Sequence, residues 1–171
     1  MSVTNSKLSF YPLGERKQLK DQIVRLDSRV DGETSASAAT DATLAVTTDD
    51  ANKVIRLSRA AGITATLPAS SGSGNVYKFF VETTVTSNGY IIQVANATDV
   101  IQGTLAVTTD AAGVVIPTAT TSDTITMNGS TTGGLRGSYV EIQDVATGFY
   151  QVRGGLISTG AEATPFSAAV S

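Results

Sequence analysis

Cysteine, histidine and tryptophan are absent from this chain of 171 residues. Without cysteine there is no disulfide framework and no thiolate nucleophile. Without histidine there is no Ser-His-Asp triad, and the two absences together remove the usual zinc and iron ligands. A chain without thiols folds alike in reducing and oxidising surroundings, so no redox compartment is implied. Aromatic residues make up only 6% and charged residues 16%, so a core must come mainly from Val, Ile, Leu and Ala. No run approaches the ~18 consecutive apolar residues of a membrane span. Met1 to Ser9 lack the basic-then-apolar order of a secretory signal, so synthesis in the cytoplasm is expected. The net charge of −3 gives no support to general nucleic-acid binding.

What is present is threonine and serine, 42 residues together, and apolar residues at 41%, enough to build a core. Charge divides the chain. Residues 1–30 hold six basic residues (Lys7, Arg16, Lys17, Lys20, Arg25, Arg29) against three acids, a net of +3, and the remainder carries a net of −6. Such asymmetry between a terminus and a body suggests two tasks. Leu19, Ile23, Leu26 and Val30 recur at helical spacing, predicting a short amphipathic helix over Gln18–Val30. A helix below ~12–15 residues needs a surface, either its own domain or a partner. Val3, Leu8, Phe10, Tyr11 and Leu13 precede it without periodicity, and docking on another subunit is the expectation for them.

Residues 31–42 read as a small-residue linker. Beyond it come short β-prone runs: 43–48, 53–58, 63–67, 76–85, 89–95, 104–109, 113–117, 123–128, 138–143 and 148–153. Turns such as Ser87-Asn88-Gly89, Asn128-Gly129 and Ala146-Thr147-Gly148 separate them as hairpin signals. Strands at this spacing, with no helical pattern between them, predict an all-β fold, an antiparallel β-sandwich or barrel over 43–171 with an irregular C-terminal tail. Alternation puts Tyr77, Phe79, Val81 and Val85 on one face, and Val140 and Ile142 opposite Tyr139, Glu141 and Gln143. Threonine suits the outward positions, where its branched carbon fits the pleat and its hydroxyl stays wet. The heptapeptide Thr43–Asp49 recurs identically as Thr104–Asp110, which suggests a duplicated hairpin.

Candidate chemistry is sparse. Asp49-Asp50 and Asp31-Gly32-Glu33 are close carboxylate pairs, better read as turn residues than as a glycosidase pair. Asp123 and Asp144 are loop acids that an oxygen-seeking Ca²⁺ would need, yet the spacing of a calcium loop is missing. Ser71-Gly72-Ser73-Gly74-Asn75, with Lys78 beyond it, lacks the end and the helix of a phosphate loop. Asn96-Ala97-Thr98 and Asn128-Gly129-Ser130 match the glycosylation pattern but follow no signal. No catalytic site, metal or cofactor is expected.

Several phrases resemble a group of small tailed-bacteriophage virion proteins. They are Thr66-Leu67-Pro68-Ala69, Gly72-Ser73-Gly74 with Tyr77-Lys78-Phe79, Ile92 to Val100 leading into Gln102-Gly103, Ser122 to Gly129, and Glu162 to Phe166. The resemblance covers roughly residues 60–166, and none of the phrases has a chemical mechanism. It implies a capsid decoration (cement) protein, with a β-rich body, a small oligomer (commonly a trimer, a dimer being possible), the major capsid protein as partner, and a place on the outer capsid surface. On that reading residues 1–30 form a partner-binding arm. Phe10, Tyr11, Leu13, Leu19, Ile23 and Leu26 are its expected anchors, and Arg16, Lys17 and Lys20 its contacts with acidic capsid surface. The rivals are a tail- or fibre-associated protein that binds a receptor or glycan, and a carbohydrate-active enzyme working through two carboxylates.

Overall fold

The computed structural model describes residues 37–170. Among the described residues twelve strands form two mixed sheets, with a 3-10 turn at Thr48–Asp50 between the second and third strands. They are β1 (Ser37–Ala39), β2 (Thr43–Ala45), β3 (Val54–Leu57), β4 (Ile63–Thr66), β5 (Val76–Val81), β6 (Tyr90–Gln93), β7 (Val100–Thr108), β8 (Gly113–Pro117), β9 (Thr124–Met127), β10 (Tyr139–Ala146), β11 (Phe149–Ile157) and β12 (Phe166–Ser167). One sheet has seven strands in the order β1-β3-β5-β10-β11-β7-β8, the other five in the order β12-β9-β6-β4-β2.

The all-β expectation holds, and all ten expected strand regions contain a strand. The antiparallel expectation needs correction. From β1 to β7 each successive strand crosses to the opposite sheet. A strand therefore returns beside its predecessor-but-one in the same direction, and β1∥β3∥β5 and β2∥β4∥β6 are parallel. Parallel neighbours need a long crossover, ordinarily a helix. Here a strand of the other sheet serves as the crossover, a relation that local hydrophobic period does not encode. The winding then changes. The antiparallel hairpin β10–β11 inserts between β5 and β7, pairing β5 antiparallel and β7 parallel.

The turns of the coil stack. Asn88 and Gly89 were expected to close a hairpin, but they link β5 to β6 in different sheets. The Asn88 side chain donates to the Ala61 carbonyl at 3.2 Å, and the Ile63 amide donates to the Gly89 carbonyl at 3.2 Å. Gly62 has φ +87°, and a Cβ there would lie 2.3 Å from the Gly89 oxygen, so only glycine lets the two turns approach. Ala146-Thr147-Gly148 does form the expected hairpin, between β10 and β11. Ser37–Ala39, read as linker, instead add a short edge strand along β3. Their small side chains carry no strand pattern, and the pairing is made by backbone.

Both sheets contribute to one hydrophobic cluster. The seven-stranded sheet supplies Ile55, Leu57, Tyr77, Phe79, Val81, Ile101, Leu105, Val107, Val140, Ile142, Tyr150, Val152 and Leu156, all buried. The five-stranded sheet faces them with Ile63, Ala65, Tyr90, Ile92, Ile125 and Met127. The predicted inward residues of β5 and β10 are on that face. Among the strand threonines, Thr43, Thr104 and Thr108 are exposed and Thr64, Thr66 and Thr126 half-buried, whereas Thr124 is buried, so the outward role holds for most of them and fails for Thr124. The repeated heptapeptide has two fates. Thr104–Thr108 runs into a hairpin with β8, whereas Thr43–Ala45 ends at the 3-10 turn and the chain crosses to the other sheet. The duplicated-hairpin expectation thus holds for the second copy only.

Candidate interaction surface

Three of the carboxylates that sequence reading singled out, Asp50, Asp123 and Asp144, accept hydrogen bonds from within the chain, whereas Asp49 is exposed. Asp144 at the end of β10 is buried, and the loop Ser70–Asn75 wraps around it. The amides of Ser71, Gly72 and Ser73 donate to it at 2.8–3.1 Å, joined by the hydroxyls of Ser71 (3.0 Å) and Ser73 (2.6 Å). The Gly-rich segment does cradle an anion, and the anion is the chain's own Asp144. Burial pushes its pKa up, but the Ser73 hydroxyl and the Gly72, Ser73 and Ser71 amides outweigh that and hold it at about 2. Asp99 accepts from the Ser70 amide at 2.9 Å and from Asn96 at 3.0 Å. Asp123 accepts from Thr124 at 2.7 Å and the Ala169 amide at 2.8 Å, which ties down the C-terminal tail. Asp50 accepts from both the amide and the hydroxyl of Thr47. Asp31 and Glu33 lie outside the described residues. Among the described residues no three of His, Cys, Asp or Glu converge on a common point.

Tyrosine hydroxyls are engaged in the same way. Tyr150 donates to the Pro68 carbonyl at 2.6 Å and Tyr90 to the Thr83 carbonyl at 2.7 Å. Burial pushes the Tyr150 phenol well above its ordinary range, with the Asp144 charge adding to it. Burial raises the Tyr90 phenol as well.

What the body presents outward is the free face of the seven-stranded sheet. Register aligns Arg56, Phe80, Tyr139, Gly155, Ala106 and Val115 in one row across six strands, β3 to β8. Phe80 is 37% exposed, Tyr139 53% and Val115 63%, while Gly155 and Ala106 leave a low shelf between them. The Tyr139 ring lies over Gly155, where an added Cβ would come within 3.1 Å of it. The neighbouring row is charged: Lys78 stands opposite Glu141, which pairs with Arg153. At the far side Arg56 holds Glu82 at 2.8 Å. The Ser58 hydroxyl, and after it Arg56, keep the Glu82 carboxyl below its usual range. A groove of about 180 Å³ runs between the rows, lined by Val54, Lys78, Phe80, Tyr139 and Glu141. It is smaller than the ~300–1,000 Å³ of small-molecule pockets, so this face suits a flat contact.

The nine expected arm residues, Phe10, Tyr11, Leu13, Arg16, Lys17, Leu19, Lys20, Ile23 and Leu26, lie outside the described residues, as does the expected helix. Phe80, Tyr139 and Val115 were not anticipated as contacts. A signal existed for two of them, since Phe80 keeps phase with Lys78 and Glu82, and Tyr139 with Glu141 and Gln143. Each is an aromatic at a position where the alternation calls for a polar residue. Comparison with protein-family models, curated proteins and solved structures returns no match.

Proposed function

We propose that this chain is a non-enzymatic virion structural protein of a tailed bacteriophage, a head decoration protein that binds the major capsid protein lattice from outside. The observation that carries the reading is the outward apolar row of Phe80, Tyr139 and Val115 beside paired charges, on a body whose buried carboxylates serve as internal fasteners. The resemblance over residues 60–166 supplies the virion context. On this reading the two sheets make a sandwich that acts as a rigid platform, the body forms a small homo-oligomer, and residues 1–30 extend its reach.

A cement protein needs contacts that are modest singly and strong when several copies engage a fixed lattice, because linked sites raise effective concentration to roughly millimolar. A wide, shallow, partly apolar face matches that demand better than a deep pocket does. The test measures occupancy on preformed capsids for the full chain, for a chain lacking residues 1–30, and for the double variant Phe80→Ser/Tyr139→Ser. Phe80 and Tyr139 are a partly buried cross-strand pair, so a near-native circular dichroism spectrum and a cooperative melt are required of the double variant, and a drop in occupancy then reports on contact. Unchanged occupancy in both altered chains would sink the reading. A few copies per particle confined to the tail would favour the receptor-binding alternative instead.

A further inference from the structure

The outer edge of the seven-stranded sheet is formed by β8, whose sequence is Gly113-Val114-Val115-Ile116-Pro117. The other sheet edges, β1, β2 and β12, are two or three residues long. β8 has five residues, carries no charge and contains no bulge in its register with β7. Protein edges are ordinarily blunted by shortness, by charge or by a bulge, because free amides and carbonyls recruit another strand. β8 has none of these protections except the proline at its end.

The hydrogen-bond phase of the hairpin identifies the free groups. Thr109 donates to the Ala112 carbonyl at 2.8 Å and Thr118 to the Gly103 carbonyl at 3.0 Å. In an antiparallel ladder bonded pairs alternate, so Val107/Val114 and Leu105/Ile116 are the bonded pairs within it. The backbone groups of Val114 and Ile116 therefore point at β7. Those of Gly113 and Val115, and the Pro117 carbonyl, point outward. Side chains on both faces of the edge are apolar. Val115 stands on the outer face at 63% exposure, and Val114 follows the core face yet is 43% exposed, since among the described residues no strand lies beyond it.

We infer that β8 pairs with β8 of a second copy of this chain, antiparallel about a two-fold axis at Val115, which joins the two seven-stranded sheets into one. The free groups are self-complementary under that operation. Val115 exchanges both of its bonds with its counterpart, and each Gly113 amide meets the other copy's Pro117 carbonyl. Proline has no N–H to offer Gly113 in return, so the pairing ends there. Each Val114 comes opposite an Ile116, and the two Val115 side chains meet on the outer face. The absence of charge favours an identical strand, since two copies meet without like-charge repulsion while a charged partner strand finds no complement.

The test uses the full chain, wild type against Val115→Lys and Val115→Pro, by sedimentation at micromolar concentration and by amide hydrogen exchange. Both substitutions spare the β7 ladder, because the Val115 amide faces away from it, and near-native circular dichroism with a cooperative melt checks folding. The expected result is a wild-type dimer, or a larger even-numbered assembly, that loses half its mass in both variants. The Gly113 and Val115 amides should exchange roughly tenfold or more slowly in the wild type than in Val115→Lys, since paired edge amides open only with the interface. A monomeric or trimeric wild type, a variant that keeps its mass, or unprotected Gly113 and Val115 amides in the wild type would overturn the pairing. None of these outcomes depends on capsid binding.

Discussion

Three consecutive amides and two serine hydroxyls converge on the Asp144 carboxylate, and this one side chain decides the conformation of the loop Ser70–Asn75. Replacing it by asparagine keeps the shape but turns part of the acceptor into a donor facing other donors. Bonds to a charged group contribute ~1.5–3 kcal/mol, and each buried group left unpaired costs ~1–3 kcal/mol. Asp144→Asn is therefore expected to lose about 3 kcal/mol in urea unfolding near neutral pH. The pH dependence has a definite sign. The folded pKa, about 2, lies below the ordinary 3.8, so the stabilisation is complete above pH 4 and fades as the pH falls towards 2. The gap between wild type and Asp144→Asn should close over that window. A gap that stays constant from pH 7 to pH 2 would show that the charge is not the source.

At the scale of elements, the repeated heptapeptide separates local preference from tertiary decision. Identical residues end in a crossing turn at Thr48–Asp50 and in a hairpin at Thr109–Ala112. The first difference after the repeat is Asp50 against Ala111. Asp50 reaches back to the Thr47 amide at 2.9 Å and hydroxyl at 3.0 Å, closing the 3-10 turn. In the second copy the Thr109 hydroxyl takes over, accepting from the Ala112 amide at 3.0 Å. Removing a cap of the first kind costs ~1 kcal/mol. Asp50→Ala should destabilise by about that amount, whereas Asp110→Ala should change stability by less than about 0.5 kcal/mol. Equal effects in thermal melts of the two variants would contradict this account. The turn residues were legible as turns in the sequence. Whether each turn returned to its own sheet or crossed was not, because that depends on which strand waits beyond it.

For the whole molecule, topology sets the folding speed. Every parallel pair joins segments distant in sequence, such as Val54 with Lys78 and Phe149 with Val100, and loops must close before those contacts form. Refolding is expected on the millisecond-to-second scale of high-contact-order β proteins. A stopped-flow relaxation in microseconds would show that the long-range pairs do not form in the rate-limiting step. The all-β class, the ten expected strand regions and the inward faces of β5 and β10 could be read from the sequence, because alternation is a local property of a half-buried strand. The cradle around Asp144 could not, since Ser71 and Asp144 stand far apart along the chain and only the docking of β10 beside β5 brings them together. The exposed row from Phe80 to Val115 was half legible, as aromatics standing in the polar phase of their strands. Its continuity across five strands was not, because β10 and β11 enter the sheet between β5 and β7. The sequence by itself determined which residues face inward and where the chain turns. The tertiary structure alone decided which strands are neighbours, in which direction they run and which edge stays open, because pairing is made by backbone groups that every residue carries alike.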